Sequence, residues 1–318
     1  MLVFNNQQIT DKKVINLIDF LQEGDCLVFN DARVIKAKLQ GKILRNNAIL
    51  DFNLDQEKNG VWQALCKPAK KVENGDIIKI ADDFSATILE KTNDGFIKIK
   101  FNFEKEQLLE KLEEHGSTPL PPYIKRQEKE ELDQTNYQTI YAKNGTAVAA
   151  PTAGLHFNEK IFAQLDEKKI RKAFVTLNVG AGTFLPVRAD KISQHKMHSE
   201  FFTITKENAQ IINEAKKAGK RIIAVGTTAL RALESAANEN DHIDCMQSDT
   251  EIFIYPGYKF KIVDILMTNF HLPKSTLFML ICAFVGRENA FKIYDHAIKN
   301  NYRFYSYGDT SLLFKKPD

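Results

Sequence analysis

Between His195 and Glu200 the sequence HKMHSE sets two imidazoles and a carboxylate close together. Histidine is the side chain whose ordinary pKa lies nearest neutrality, so a group of this kind suits proton transfer. His195 and His198 would share a face if the segment were helical, but Glu200 would not join His198 on it. The spacing matches no common zinc pattern, and no metal site is expected. His156 stands alone after a glycine turn in PTAGLHF, and His271 ends a strand-like run, Asn269-Phe270-His271. A lone histidine in such a place is ordinarily a packed side chain or a cap, with acid–base work as the functional alternative.

Other segments suit binding. In RIIAVGTTALRALESAAN (221–238) an apolar strand runs into Gly226, and Thr227 or Thr228 is positioned to cap the helix that follows. A strand–glycine–helix start leaves backbone N–H groups where a carboxylate or phosphate can dock, although a plain capped connection reads the same way. Arg231 and Glu234 are spaced to pair on the helix surface. NVGAGTF (178–184) contains G-x-G without the third glycine or a following helix pattern, so no dinucleotide fingerprint is indicated. Lys274-Ser275 opens a helix opposite Asn269, with Ser275 as its cap. YRFYSYGD (302–309) is either an aromatic edge strand sealing the core or a platform for a sulfonium or a stacked base. Lys67, Lys70, Lys71, Lys125 and Arg126 suit phosphates, or form a solvated face.

The elements that must position these residues fall into two kinds. From about 37 to 103 short strands alternate with turn clusters: AILDFNL, VWQALC, DIIKI, SATILE and FIKIKFNF. In the last, Ile97, Ile99, Phe101 and Phe103 point one way, while Lys98, Lys100 and Asn102 point the other. Asn59-Gly60, Asn74-Gly75 and Asp94-Gly95 supply turns, so this stretch reads as a small antiparallel barrel or sandwich. A helix carrying Leu108, Leu109 and Leu112 follows, and GSTPLPP (116–122) breaks the chain. Beyond it the pattern predicts helices at 158–169, 206–218, 228–237, 275–285 and 289–300. Strands are predicted at 172–179, 221–225, 251–255 and 262–268, after an earlier one at 24–29. That alternation predicts an α/β domain with a largely parallel sheet. The domain boundary is expected at the 116–122 break.

Composition narrows the class. The length, 318 residues, exceeds one ordinary core, and 43% hydrophobic with 27% charged residues is a globular profile. The net charge of +3 does not announce a polyanion partner, so nucleic-acid binding must rest on a local patch. Cys26, Cys66, Cys245 and Cys282 are scattered singly, which fits reduced thiols in a cytoplasmic protein. The start, MLVFNNQQIT, is not a signal peptide, and the apolar run Leu277 to Val285 is too short for a span and reads as a buried helix.

Taken together, these segments resemble one family, the S-adenosylmethionine:tRNA ribosyltransferase-isomerases of queuosine biosynthesis. The resemblance runs through CLVFNDARVIKAKLQG (26–41), PLPPYIKR (119–126), YQTIYAKNGTAVAAPTAGLHF (137–157), VTLNVGAGTFLPVR (175–188) and HKMHSEFF (195–202). It continues through IIAVGTTALRALES (222–235), TEIFIYPGYKFKIVDILMTNFHLPKSTLFMLICAFVGRE (250–288) and YRFYSYGD (302–309), in the family's order. Members carry a further N-terminal segment ahead of the part that Met1-Leu2-Val3-Phe4 resembles, and NNAILDFNL lacks a glutamate expected nearby.

The resemblance implies a discontinuous α/β domain (1–36 and 120–318) with an inserted β-barrel domain (37–119). It implies S-adenosylmethionine as a consumed substrate, no cofactor, and a tRNA anticodon loop bearing an aminomethyl-deazaguanine. The ribosyl carbons move to the aminomethyl group and close to an epoxycyclopentane as adenine and methionine leave. Such chemistry needs proton transfer at the carbon beside the sulfonium and at the departing purine. His156, His198, Glu200 and His271 are the candidate proton carriers. Thr227 and Thr228 are candidates for the methionine carboxylate or ribose, Asn269 for a base edge, and Asp31 and Arg33 for positioning. Arg303, Tyr305, Lys125 and Arg126 are candidates for tRNA, whose single-stranded loop is held by stacking and phosphate contacts. A monomer is expected. A non-catalytic tRNA-binding relative and a methyltransferase are the rival readings.

Overall fold

The computed structural model describes residues 1–92, 96–120, 136–180, 192, 195 and 197–316. In chain order the first strands are β1 (Leu2–Asn5), β2 (Gln8–Asp11), β3 (Cys26–Asn30) and β4 (Ala32–Val34). Then come β5 (Lys38–Ile43), β6 (Ile49–Lys58), β7 (Val61–Lys67), β8 (Ile77–Lys79), β9 (Ser85–Lys91) and β10 (Phe96–Phe101), followed by α1 (Lys105–His115). The remainder is β11 (Asn144–Ala147), α2 (Glu159–Glu167), β12 (Arg171–Leu177), β13 (Glu200–Ile204), α3 (Lys206–Lys217), β14 (Ile222–Val225) and α4 (Thr227–Ala236). Last come β15 (Met246–Thr250), β16 (Ile265–Asn269), α5 (Thr276–Val285), α6 (Arg287–Lys299) and β17 (Thr310–Phe314).

Strands β5 to β10 close into an antiparallel barrel in the order β10-β7-β6-β5-β8-β9. The alternation in β10 holds: Ile97, Ile99 and Phe101 are buried while Lys98 and Lys100 are exposed. Asn59 and Gly60 both take positive φ (54° and 77°) in the tight β6–β7 turn, as a two-residue hairpin requires. Leu108 and Leu112 of α1 join the barrel's core, so the helix packs on the barrel.

The larger sheet has the order β15-β13-β12-β3-β14-β16-β17-β1-β2. Its centre consists of strands buried along their whole length (CLVFN, IIAV, ILMTN), which is what a sheet covered on both faces demands. It is mixed rather than largely parallel. β12, β3, β14 and β16 run parallel, but β13 lies antiparallel on β12 and β17 antiparallel on β16. The cause on one side is that α5 and α6 both lie between β16 and β17. Two packed helices return the chain to the edge it left, whereas a parallel neighbour needs one crossover. One face is covered by α3, α4 and α5, the other by α2 and the turns around Leu17 and Ala153.

Two sequence-based expectations shift. The alternating EIFIY (251–255) forms no strand, and the polar MQSDT before it does, because β13 offers its edge to that backbone. Ladder pairing does not require apolar side chains, and Ile254 is buried without it. YRFYSYGD forms turns instead of an edge strand, with Tyr305 at φ 74°. No helix among the described residues is long and apolar enough to cross a membrane.

Candidate active site

In a sheet of this kind the carboxyl ends of the parallel strands are where loops can surround a ligand. At that end of β14 stands Gly226, with φ 93° and ψ 154°, a conformation only glycine adopts readily. Gly226 is the N-cap of α4. Neither Thr227 nor Thr228 caps the helix; they occupy its first turn, and no side chain closes it. The helices α2, α3 and α5 are closed by Asn158, Thr205 and, as expected, Ser275, whereas α1 and α6, like α4, have no side-chain cap. The first turn of α4 therefore keeps main-chain N–H groups and the positive end of the helix dipole uncapped.

Three elements meet there. The short 3₁₀ turn Thr152–His156 lies against Gly226: a Cβ placed on that glycine would stand 3.6 Å from Ala153 Cβ and 3.6 Å from Thr228 Oγ1. Thr152 donates its hydroxyl to Asn269 Oδ1 at 3.0 Å, joining the turn to the end of β16. Gly154 must be glycine, since any Cβ would sit 2.0 Å from Tyr141 Oη. The loop after α6 closes the same edge, with Tyr305 N–H donating to Phe270 O at 3.1 Å.

Several buried polar atoms at this edge have no hydrogen-bond partner: His156 Nε2, Thr228 Oγ1, Asn269 Nδ2, and Nε and Nη2 of Arg231. Folded proteins seldom leave such atoms unpaired, and several of them lie on elements that meet here, as a bound group that completes them would require. Burial pushes the His156 imidazole down to about 4, so it is neutral at pH 7. Arg303 and Asp309 act on the same ring. They pair with each other at 3.1 Å, and although burial opposes it, Arg303 helps hold the Asp309 carboxyl below its usual range.

The other candidates are placed as follows. His271 is also held down to about 4 by burial, and its Nε2 is 3.0 Å from Thr268 Oγ1. Glu200, at the start of β13, is buried and ion-paired with Arg231 of α4. The HKMHSE segment is not helical where described; the His198 ring is exposed, 6.4 Å from Phe96 of the barrel, and the His195 ring is 5.2 Å from Phe253. Asp31 is a structural tie, accepting from Thr176 Oγ1 at 2.6 Å and Asn144 Nδ2 at 2.9 Å. Arg33 and Tyr305 are exposed, as are Lys67, Lys70 and Lys71 on the barrel. Lys125 and Arg126 lie outside the described residues. Among the described residues no group of three or more His, Cys, Asp or Glu side chains is placed to hold a metal ion.

Arg231 does not pair with Glu234, because helix spacing permits that contact but the tertiary partners outcompete it. Glu234 turns inward and accepts from the backbone N–H groups of Lys261, Ile262 and Val263 and from the Tyr258 hydroxyl. The Glu200–Arg231 pair and Thr152 escaped sequence reasoning, since no local spacing links residues so far apart. The barrel reaches this edge too: Gln56 of β6 donates its side-chain amide to Ser199 O, next to Glu200.

Comparison with known proteins gives a consistent result. A family model described as "Queuosine biosynthesis protein" matches residues 1–313. The S-adenosylmethionine:tRNA ribosyltransferase-isomerase of Rickettsia bellii (strain OSU 85-389) is 47% identical, over 99% of this chain and 92% of its own. The protein of the same name from Zymomonas mobilis is 48% identical, again over 99% and 92%. A crystal structure of the S-adenosylmethionine tRNA ribosyltransferase from Thermotoga maritima superposes with a TM-score of 0.53 at 31% identity, covering 98% of this chain and 91% of that one.

Proposed function

The chain belongs to the queuosine biosynthesis protein family, and from that membership we propose that it is an S-adenosylmethionine:tRNA ribosyltransferase-isomerase whose cleft lies at the β14–β16 edge. The observation that carries this reading is that the Thr152–His156 turn, α4 and β16 meet at one edge and each carries an unpartnered buried polar atom. A sulfonium nucleoside supplies complementary groups: a carboxylate for the open α4 terminus, ribose hydroxyls for Thr227 and Thr228, and a purine edge for Asn269. It is consumed as a substrate, and no further cofactor takes part.

His156 is the first proton acceptor in this proposal. Being neutral above about pH 4, it holds a free lone pair at working pH. The imidazolium formed in this partly desolvated place is a stronger acid than an ordinary one, which suits handing the proton on to a departing purine. His198, exposed beside the barrel, serves at the tRNA side. Glu200 and His271 act through the neighbours they hold. The amine of the aminomethyl-deazaguanine attacks as the neutral base, and epoxide closure expels methionine as a neutral thioether. Arg303, Tyr305, Arg33, Lys125 and Arg126 are proposed to hold the anticodon loop, and Asp31 to brace it through β12. The same proposal takes 37–119 as an inserted barrel domain and the protein as a cytoplasmic monomer.

The test is adenine release from S-adenosylmethionine in the presence of precursor tRNA. His156→Ala should lower turnover by about 100- to 10,000-fold. Turnover within a few-fold of the parent, with donor binding intact, refutes the assignment. Mass spectrometry of the products settles the class: S-adenosylhomocysteine would mark a methyltransferase, and an unconsumed donor a binding protein.

A further inference from the structure

Arg231 lies in the second turn of α4, and 5% of its surface is exposed. Its Nη1 is engaged by Glu200, yet Nε and Nη2 have no partner. These two nitrogens form one edge of the guanidinium, the edge that matches a pair of carboxylate oxygens side-on. Leaving it dry and unpaired is costly, so the arrangement is that of a site waiting for an anion. Helical side chains lean toward the helix N-terminus, and Thr228 lies three residues earlier on the same face. Arg231 and Thr228 therefore share the face of α4 that adjoins its uncapped first turn, and Thr228 Oγ1 is unpartnered as well. Glu200 belongs to the same edge of the sheet, because β13 starts beside the end of β12.

We propose that Arg231 receives the α-carboxylate of the sulfonium donor on its Nε–Nη2 edge, with Glu200 as the positioning residue that fixes the opposite side of the guanidinium. This deepens the reading of the cleft as a donor site and rests on it. A tRNA phosphate offers similar oxygens. The depth of Arg231 favours a small terminal carboxylate over a bulky polyanionic backbone. The Glu200 charge cancels that of Arg231, so selection comes from the directed N–H pair and the α4 dipole rather than from net charge.

The test compares S-adenosylmethionine with its decarboxylated analogue, which keeps the sulfonium, ribose and adenine. The parent protein should bind the carboxylated donor about 10- to 100-fold more tightly, by calorimetry and by KM for adenine release. Arg231→Gln should shrink that preference to a few-fold, mainly through KM for the donor, and Arg231→Lys should restore part of it. Glu200→Gln should weaken the preference partially while Arg231 is present. Equal affinity of the parent protein for both donors overturns the proposal without any variant. So does an Arg231→Gln protein that keeps the full preference, or one whose loss appears in tRNA affinity and its salt dependence. If the parent releases no adenine from either donor, the reading of the cleft fails and takes this inference with it. Release with equal efficiency from both removes the inference alone.

Discussion

Acidification should destabilise this fold through two partly buried histidines. His156 and His271 have ordinary values of 6.5 and are each pushed down to about 4 by burial. Below pH 6.5 the unfolded chain takes up protons at these sites and the folded one does not. Stability is therefore fully present above 6.5 and is lost as pH falls toward 4. The full difference corresponds to about 3 kcal/mol per histidine. Between about pH 7 and pH 4.5 each site should remove about 2 kcal/mol, and the pair about 4 to 5 kcal/mol. Urea unfolding followed by circular dichroism at the two pH values measures the loss. Repeating it on His156→Gln and His271→Gln isolates each contribution. The quantity compared is the difference between the two pH values within one protein, so a general weakening by the substitution cancels. Each variant should be about 2 kcal/mol less pH-sensitive than the parent. Variants as pH-sensitive as the parent would show that these imidazoles titrate normally and that the fold does not hold them down.

Glu234→Ala should cost at least about 3 kcal/mol, since three main-chain N–H groups lose their acceptor in a buried place; unfolding midpoints in urea will show it. Gly226→Ala meets no close atom, so its effect is backbone strain at φ 93°, about 1 to 3 kcal/mol. It should also raise KM for the donor by disturbing the first turn of α4. His198 is exposed, so His198→Ala should change stability by no more than about 0.5 kcal/mol. Adenine release should nevertheless fall about 100-fold, and unchanged turnover would remove this residue from the proton carriers.

The barrel was legible because each strand carries its own instructions: period-two burial in FIKIKF and positive-φ residues at Asn59-Gly60. Helices α2, α3 and α5 were legible from apolar spacing, and Ser275 closes α5 as read. The motifs around His156, Gly226 and Asn269 were visible one by one, and they do converge at one edge of the sheet. What the residues could not announce was partner choice. β13 and β17 run against their neighbours, MQSDT pairs where EIFIY does not, and Arg231 turns from Glu234 to Glu200. Local propensity and periodicity depend on residues a few positions apart, and those the polypeptide determines by itself. Strand order, the pairing of buried charges and the buried polar atoms left unpaired depend on groups brought together from distant positions. Desolvation makes the best available partner decisive for these groups, so only the tertiary structure could choose among them.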